Sequence, residues 1–165
     1  NLGEQNPAYV RLSFLFLRQF MQRAKTLIIG YGNTLRSDDG VGVRVAETIA
    51  RENYPNIRVL TVQQLTPELA EDIANSQRVI FIDATLAQST VTVKPLSPNL
   101  ETNWSRHQTN PEALLFLAQT IYGKTPSAWW VLIPGINFEF GENLDPITEE
   151  HQKTALGLIY RFLSL

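Results

Sequence analysis

The chain has 165 residues, the size of one ordinary domain, and can bury a hydrophobic core without disulfide or metal staples. At 44% hydrophobic, 18% charged and a formal charge of -2, it has neither the composition of a disordered chain nor an electrostatic footprint for nucleic acid or an anionic membrane. The absence of cysteine excludes a disulfide framework, a thiolate zinc site, an iron–sulfur cluster and a cysteine nucleophile, and with histidine only at His107 and His151 a metal site has to be built mainly from carboxylates.

The apolar run from Val10 to Met21 is interrupted by Arg11 and Arg18, lacks a small-residue cleavage site and is too short to span a bilayer. It reads as an amphipathic helix, and residues 1–24 as a helical extension before the only methionine, Met21, and the first strong strand. From Lys25 short apolar runs alternate with helical-period segments, the mark of βαβ units and a largely parallel sheet. Thr26–Tyr31 is the first strand, and Asp39–Glu52 a helix with Val41, Val45, Ala46 and Ile49 on one face. Ile57–Val62 is the second strand, and Thr66 then caps a helix with Pro67 at its first position. Arg78–Asp83 is a third strand that ends on an acid, and Val91–Val93 a short, exposed one.

A polar stretch from Ser97 to Thr109, with Pro95 and Pro98 as turn residues at its start, is the longest candidate functional loop. Asn110 and Pro111 begin a helix with Leu114, Leu115, Leu117, Ala118 and Ile121 as its apolar residues. Ala128–Ile133 is the last strong strand, its Trp129 and Trp130 packing on opposite sides, and a helix from about Thr148 to Leu163 follows. With no repeat or linker, residues 1–165 form a single α/β domain whose core is 25–165.

Directly after the first strand stands Gly30-Tyr31-Gly32-Asn33-Thr34-Leu35-Arg36-Ser37-Asp38-Asp39-Gly40-Val41-Gly42. A dinucleotide fingerprint requires a third glycine where Leu35 stands and an acid after the second strand, which instead closes on Thr61, Val62 and Gln63. A P-loop is excluded because no Gly-Lys-Ser/Thr follows, and two carboxylates at a helix N-terminus would repel phosphate. One Asp is explained as a helix cap; the pair Asp38 and Asp39 leaves one carboxylate for other work. Asp83 stands at a strand's carboxyl end, where ligands bind in parallel α/β sheets, and His107 lies in the long loop before a helix. Two carboxylates and one imidazole on one edge make a three-ligand site with open positions, suited to nickel, zinc or manganese. His151, beside Glu149 and Glu150, reads as part of a solvated helix face. The stretch Pro134–Phe140 either lines a peptide groove or covers an edge.

The glycine motif with Ser37-Asp38-Asp39-Gly40, followed by Ile82-Asp83-Ala84 at a strand end and His107-Gln108 before a helix, resembles the nickel–iron hydrogenase maturation endopeptidases. The match runs from about Lys25 to the last residue. It implies a Rossmann-like three-layer sandwich: a mainly parallel twisted sheet with helices on both faces. It implies removal of a C-terminal extension from the hydrogenase large-subunit precursor after nickel insertion. Asp39, Asp83 and His107 are then the residues that contact nickel held in the substrate, and Asp38 the supporting acid that shapes the turn. Many members carry an Asp-Gly-x-Thr turn after the second strand; here Val62-Gln63-Gln64-Leu65-Thr66 offers no carboxylate, so a water-activating base has to be Asp39 or Asp83. The expected enzyme is a cytoplasmic monomer without organic cofactor, and without a thiolate of its own it should bind free nickel weakly. A small-ligand or nucleotide-binding module, or a scaffold without chemistry, are the alternatives.

Overall fold

The computed structural model describes residues 25–99 and 109–164; the amphipathic extension expected over residues 1–24, and His107, lie outside them. The described elements are β1 (Thr26–Tyr31), a 3-10 turn (Ser37–Gly40), α1 (Val41–Arg51), β2 (Ile57–Val62), α2 (Leu69–Ala74), β3 (Arg78–Thr85), β4 (Thr92–Leu96), α3 (Pro111–Tyr122), β5 (Ser127–Pro134) and α4 (Pro146–Leu163). The strands form one sheet in the order β2-β1-β3-β5-β4. All pairings are parallel except β4 with β5, so the doubly wound α/β class expected from the sequence is the one observed. None of the described helices is long and apolar enough to cross a membrane.

Strand alternation sorts the core into two layers. Leu27, Ile29, Val79 and Phe81 point to one face, where Leu69 and Ile73 of α2 and Leu114, Leu115 and Ala118 of α3 cover them. Ile28, Ile80, Ile82, Val131 and Ile133 point to the other, beneath Val41, Val45, Ala46 and Ile49 of α1 and Ala155 and Ile159 of α4. Both faces of the central strands are covered, which explains why β1 and β3 read as unbroken apolar runs.

Helix starts follow their caps. Asn110 accepts the Ala113 N–H (2.8 Å) and Asp145 accepts the Ile147 N–H (2.9 Å), with Pro111 and Pro146 next in the chain. Thr66 does not cap α2: Leu69 N–H bonds the Thr66 carbonyl and Ala70 N–H that of Pro67, so these residues form a tight turn and the helix starts at Leu69. Pro95 is not a loop residue but pairs with Trp129 on the edge strand β4, where the outer side needs no N–H.

The amino end of α1 lies against the strand ends because Gly42 has no side chain. A Cβ there would sit 2.4 Å from the Ile82 carbonyl oxygen and 2.9 Å from that of Tyr31. That approach brings the turn carrying Asp39 next to the strand carrying Asp83. Gly42→Ala should therefore force α1 off the sheet and cost about 1–3 kcal/mol, the usual range for overpacking, read as a lower denaturant midpoint.

Candidate active site at the carboxyl edge of the sheet

β1 stops at Tyr31, whereas β3 continues beside β5 to Thr85. Asp83 therefore does not end its strand, as the sequence suggested. It sits within the β3–β5 ladder opposite Leu132, beyond the last β1 pair, Gly30 with Ile82, and so stands at the carboxyl edge of the sheet past the end of the β1–β3 ladder.

The glycine turn follows β1 directly at the same edge. Gly32 has φ +134, and a Cβ on it would meet the Asp39 carbonyl oxygen at 1.9 Å, so only glycine fits. The turn consumes its own donors: Asn33 N–H bonds Asp39 Oδ2 (2.8 Å), Leu35 N–H bonds Asn33 Oδ1 (2.9 Å), and Arg36 N–H bonds the Asn33 carbonyl (3.0 Å). In a phosphate-binding loop such amides face the anion; here they are occupied, which argues against the nucleotide-binding alternative.

The adjacent acids have opposite environments. Asp38 is fully buried, and its carboxylate accepts four bonds of 2.8 Å each. The donors are the N–H groups of Ile136, Asn137 and Asp145 and the hydroxyl of Thr148. Burial opposes its ionisation, but these donors outweigh burial and hold its pKa below the usual carboxylate value. Its stabilising effect is thus present at neutral pH and is lost as pH falls through that lowered pKa. The stretch after β5 neither lines a free groove nor merely covers an edge: it clamps the motif. Ser37 N–H bonds the Gly141 carbonyl (2.7 Å), and the Arg36 guanidinium bonds the Phe138 carbonyl.

Asp39, by contrast, is only half-buried, and among the described residues Oδ2 takes the Asn33 N–H while Oδ1 has no donor. Asp83 is partly buried, and its pKa is pushed up to about 6. Burial is the main cause; bonds from the Tyr31 hydroxyl and the Ala84 N–H oppose it, and the neighbouring Asp39 charge adds to it. The two candidate carboxylates are thus close enough to repel. Tyr31 is in turn pushed well above its normal pKa by burial and by Asp83, so it remains a donor.

A cleft of about 300 Å³ opens between Gly32–Leu35 and Thr61–Gln63, with Glu47 on its wall; neither Asp39 nor Asp83 lines it. Gln63 at its rim is a neutral amide, so no carboxylate enters from the turn after β2. Sequence reasoning missed two residues. By sequence Tyr31 is only the last residue of the first strand and part of the glycine motif. His151, expected on a solvated face, is half-buried, and its Nδ1 lies 2.9 Å from the Pro134 carbonyl, which requires Nδ1 to carry the proton and ties α4 to the end of β5. No group of three acidic or histidine residues able to hold a metal occurs among the described residues, which do not include His107.

Fold and site together define a doubly wound α/β protein with paired carboxylates at the carboxyl edge of its sheet. No family model and no curated protein sequence matches the chain. Solved structures do. The hydrogenase maturating endopeptidase HybD from E. coli is 24% identical, with 85% of this chain and 92% of that one covered at a TM-score of 0.72. An endopeptidase from Escherichia coli is 26% identical over 83% and 90% of the two chains, with a TM-score of 0.67. The [NiFe] hydrogenase maturation protease HycI from Thermococcus kodakarensis KOD1 is 19% identical over 92% and 99%, with a TM-score of 0.66. The chain has the fold of the hydrogenase maturation endopeptidases, the family its motifs resemble.

Asp38→Ala should destabilise the fold by about 3–5 kcal/mol, because it leaves four buried donors without their charged acceptor; urea unfolding measures this. For Asp83 the sign is opposite. Between pH about 4 and 6 the folded chain keeps a proton that the unfolded chain releases, so stability falls as pH rises. Asp83→Asn should melt higher than wild type at pH 7.5, with the difference shrinking towards pH 4.

Proposed function

We propose that the chain is an endopeptidase of hydrogenase maturation, removing the C-terminal extension of a nickel–iron hydrogenase large-subunit precursor after nickel insertion. The observation that supports it most is that Asp39 and Asp83 lie within electrostatic reach of each other at the carboxyl edge of the sheet, on a fold shared with hydrogenase maturation endopeptidases. Nickel in this scheme is cargo of the substrate, held by the precursor's own thiolates. Asp39, Asp83 and His107 contact it from the enzyme side, so cleavage waits for a loaded precursor.

The chemistry then follows from the carboxylates. One of them, Asp39 or Asp83, takes a proton from water as the oxygen attacks the scissile carbonyl; the proton passes to the departing amine as the C–N bond breaks. A carboxyl with a pKa near 6 is better matched to that exchange near neutral pH than an ordinary aspartate. Nickel adds Lewis-acid polarisation as well as recognition. Asp38 takes no part in proton transfer, since its lone pairs are committed to structural donors. The enzyme acts as a cytoplasmic monomer without an organic cofactor.

Incubation with nickel-loaded and nickel-free precursor tests the assignment by mass spectrometry. The loaded form alone should lose its extension, and Asp39→Asn and His107→Ala should each abolish the cleavage while retaining the wild-type fold. Full processing by both variants overturns the site; binding without mass loss identifies a scaffold; saturable nucleotide binding identifies a ligand-binding module. Nickel should bind the free enzyme only weakly, and a tight complex would count against the assignment.

A further inference from the structure

The two edges of the sheet are built differently. The edge strand β4 carries Lys94 and Pro95, residue types that blunt an exposed edge. The opposite edge, β2, has neither proline nor lysine, and its one charge, Arg58, is held in an ion pair with Asp72 of α2. The Thr26 N–H bonds the Asn56 carbonyl (3.1 Å) and the Gly32 N–H that of Val62 (3.2 Å), so the even-numbered residues of β2 turn their backbone groups to β1. Val59 and Thr61 therefore turn theirs outwards, and these N–H and C=O groups have no partner among the described residues.

The carboxyl end of this open edge leads into the cleft, where Thr61, Val62 and Gln63 form one wall and Gly32–Leu35 the other. The second wall is tied to the candidate site, because Asn33 donates its N–H to Asp39 Oδ2 (2.8 Å). A peptide bond is open to attack where the chain around it is extended, and an extended peptide is what an unguarded edge accepts as an added strand.

We propose that β2 is the docking edge for the precursor's C-terminal extension, which pairs with Val59 and Thr61 as an added strand. The proposal rests on the peptidase assignment, in which this extension is the part that leaves. The scissile bond lies at the carboxyl edge and the extension runs on from it towards the amino end of β2, so the added strand is antiparallel. With strands about 4.8 Å apart, β3 lies roughly 14 Å from the added strand, a gap that about four extended residues cross at 3.3 Å each. Those residues pass over the cleft, and the ones after them pair with β2.

Thr61→Pro removes one outward N–H and no bond to β1, a change that an edge strand tolerates. KM is measured with nickel-loaded precursor carrying its whole extension, and with the same precursor shortened to about four residues beyond the scissile bond. With the whole extension, Thr61→Pro should raise KM about fivefold, the usual weight of a lost hydrogen bond, at a melting temperature close to wild type. With the shortened one, wild type and variant should have the same KM. In parallel, a synthetic peptide of the extension should slow hydrogen exchange at the Val59 and Thr61 amides of the wild-type chain.

A KM that Thr61→Pro leaves unchanged, or raises alike for both precursors, overturns the proposal. Should the variant fail to fold, the exchange measurement decides alone. If the wild type cleaves the loaded precursor while both amides exchange as in the chain without peptide, the extension docks elsewhere: the docking role of β2 falls and the peptidase assignment stands. Protection that is present without peptide and rises with protein concentration identifies a second copy of the chain on this edge and likewise overturns the proposal. If the wild type leaves the loaded precursor uncut, the peptidase assignment fails and the docking role with it.

Discussion

The site hangs on one buried carboxylate. Asp38 collects donors from three successive parts of the chain: the residues just after β5, the cap of α4 and the first turn of that helix. A charge inside a protein is tolerated only when its lone pairs are met, and here four donors meet it. The bonds lock the glycine turn to the connection between β5 and α4, which are remote in sequence. The next residue is Asp39, so the orientation of this candidate acid is inherited from the anchored one.

The pair shows how neighbouring residues of the same type are given different tasks by their surroundings. Asp38 is saturated with donors and stays ionised; Asp39 keeps an oxygen without a donor among the described residues; Asp83 is partly buried and holds its proton to a higher pH than an ordinary carboxyl. Two carboxylates within electrostatic reach form a weak trap for a free divalent ion when no thiolate assists. That suits the proposed function, in which nickel already bound to the precursor is sensed without being removed. The occupied amides of the glycine turn fit the same picture, since a turn that satisfies its own donors has none to offer a phosphate.

Several features were legible from local pattern. β1 and β2 have the boundaries their apolar runs suggested, Asn110 caps α3 as its sequence indicates, and Val41, Val45, Ala46 and Ile49 are all buried. The departures share a cause, which is partnership with distant residues. β3 runs two residues beyond Asp83 because β5 is there to pair with Ala84 and Thr85. His151 is drawn from solvent because the Pro134 carbonyl, 17 positions earlier, comes within 2.9 Å. Thr66 forms a turn rather than a cap.

By itself the sequence determined the class of fold, through runs whose period is set by backbone geometry, and the candidate acids, through a glycine-rich spacing that few other purposes require. It also determined what the site cannot contain, since a chain without cysteine has no thiolate to offer. Only the tertiary structure decided how each acid is surrounded. Hydrogen-bond donors and burial come from segments about 100 positions away, and a carboxylate's ionisation responds to those neighbours rather than to its own place in the chain.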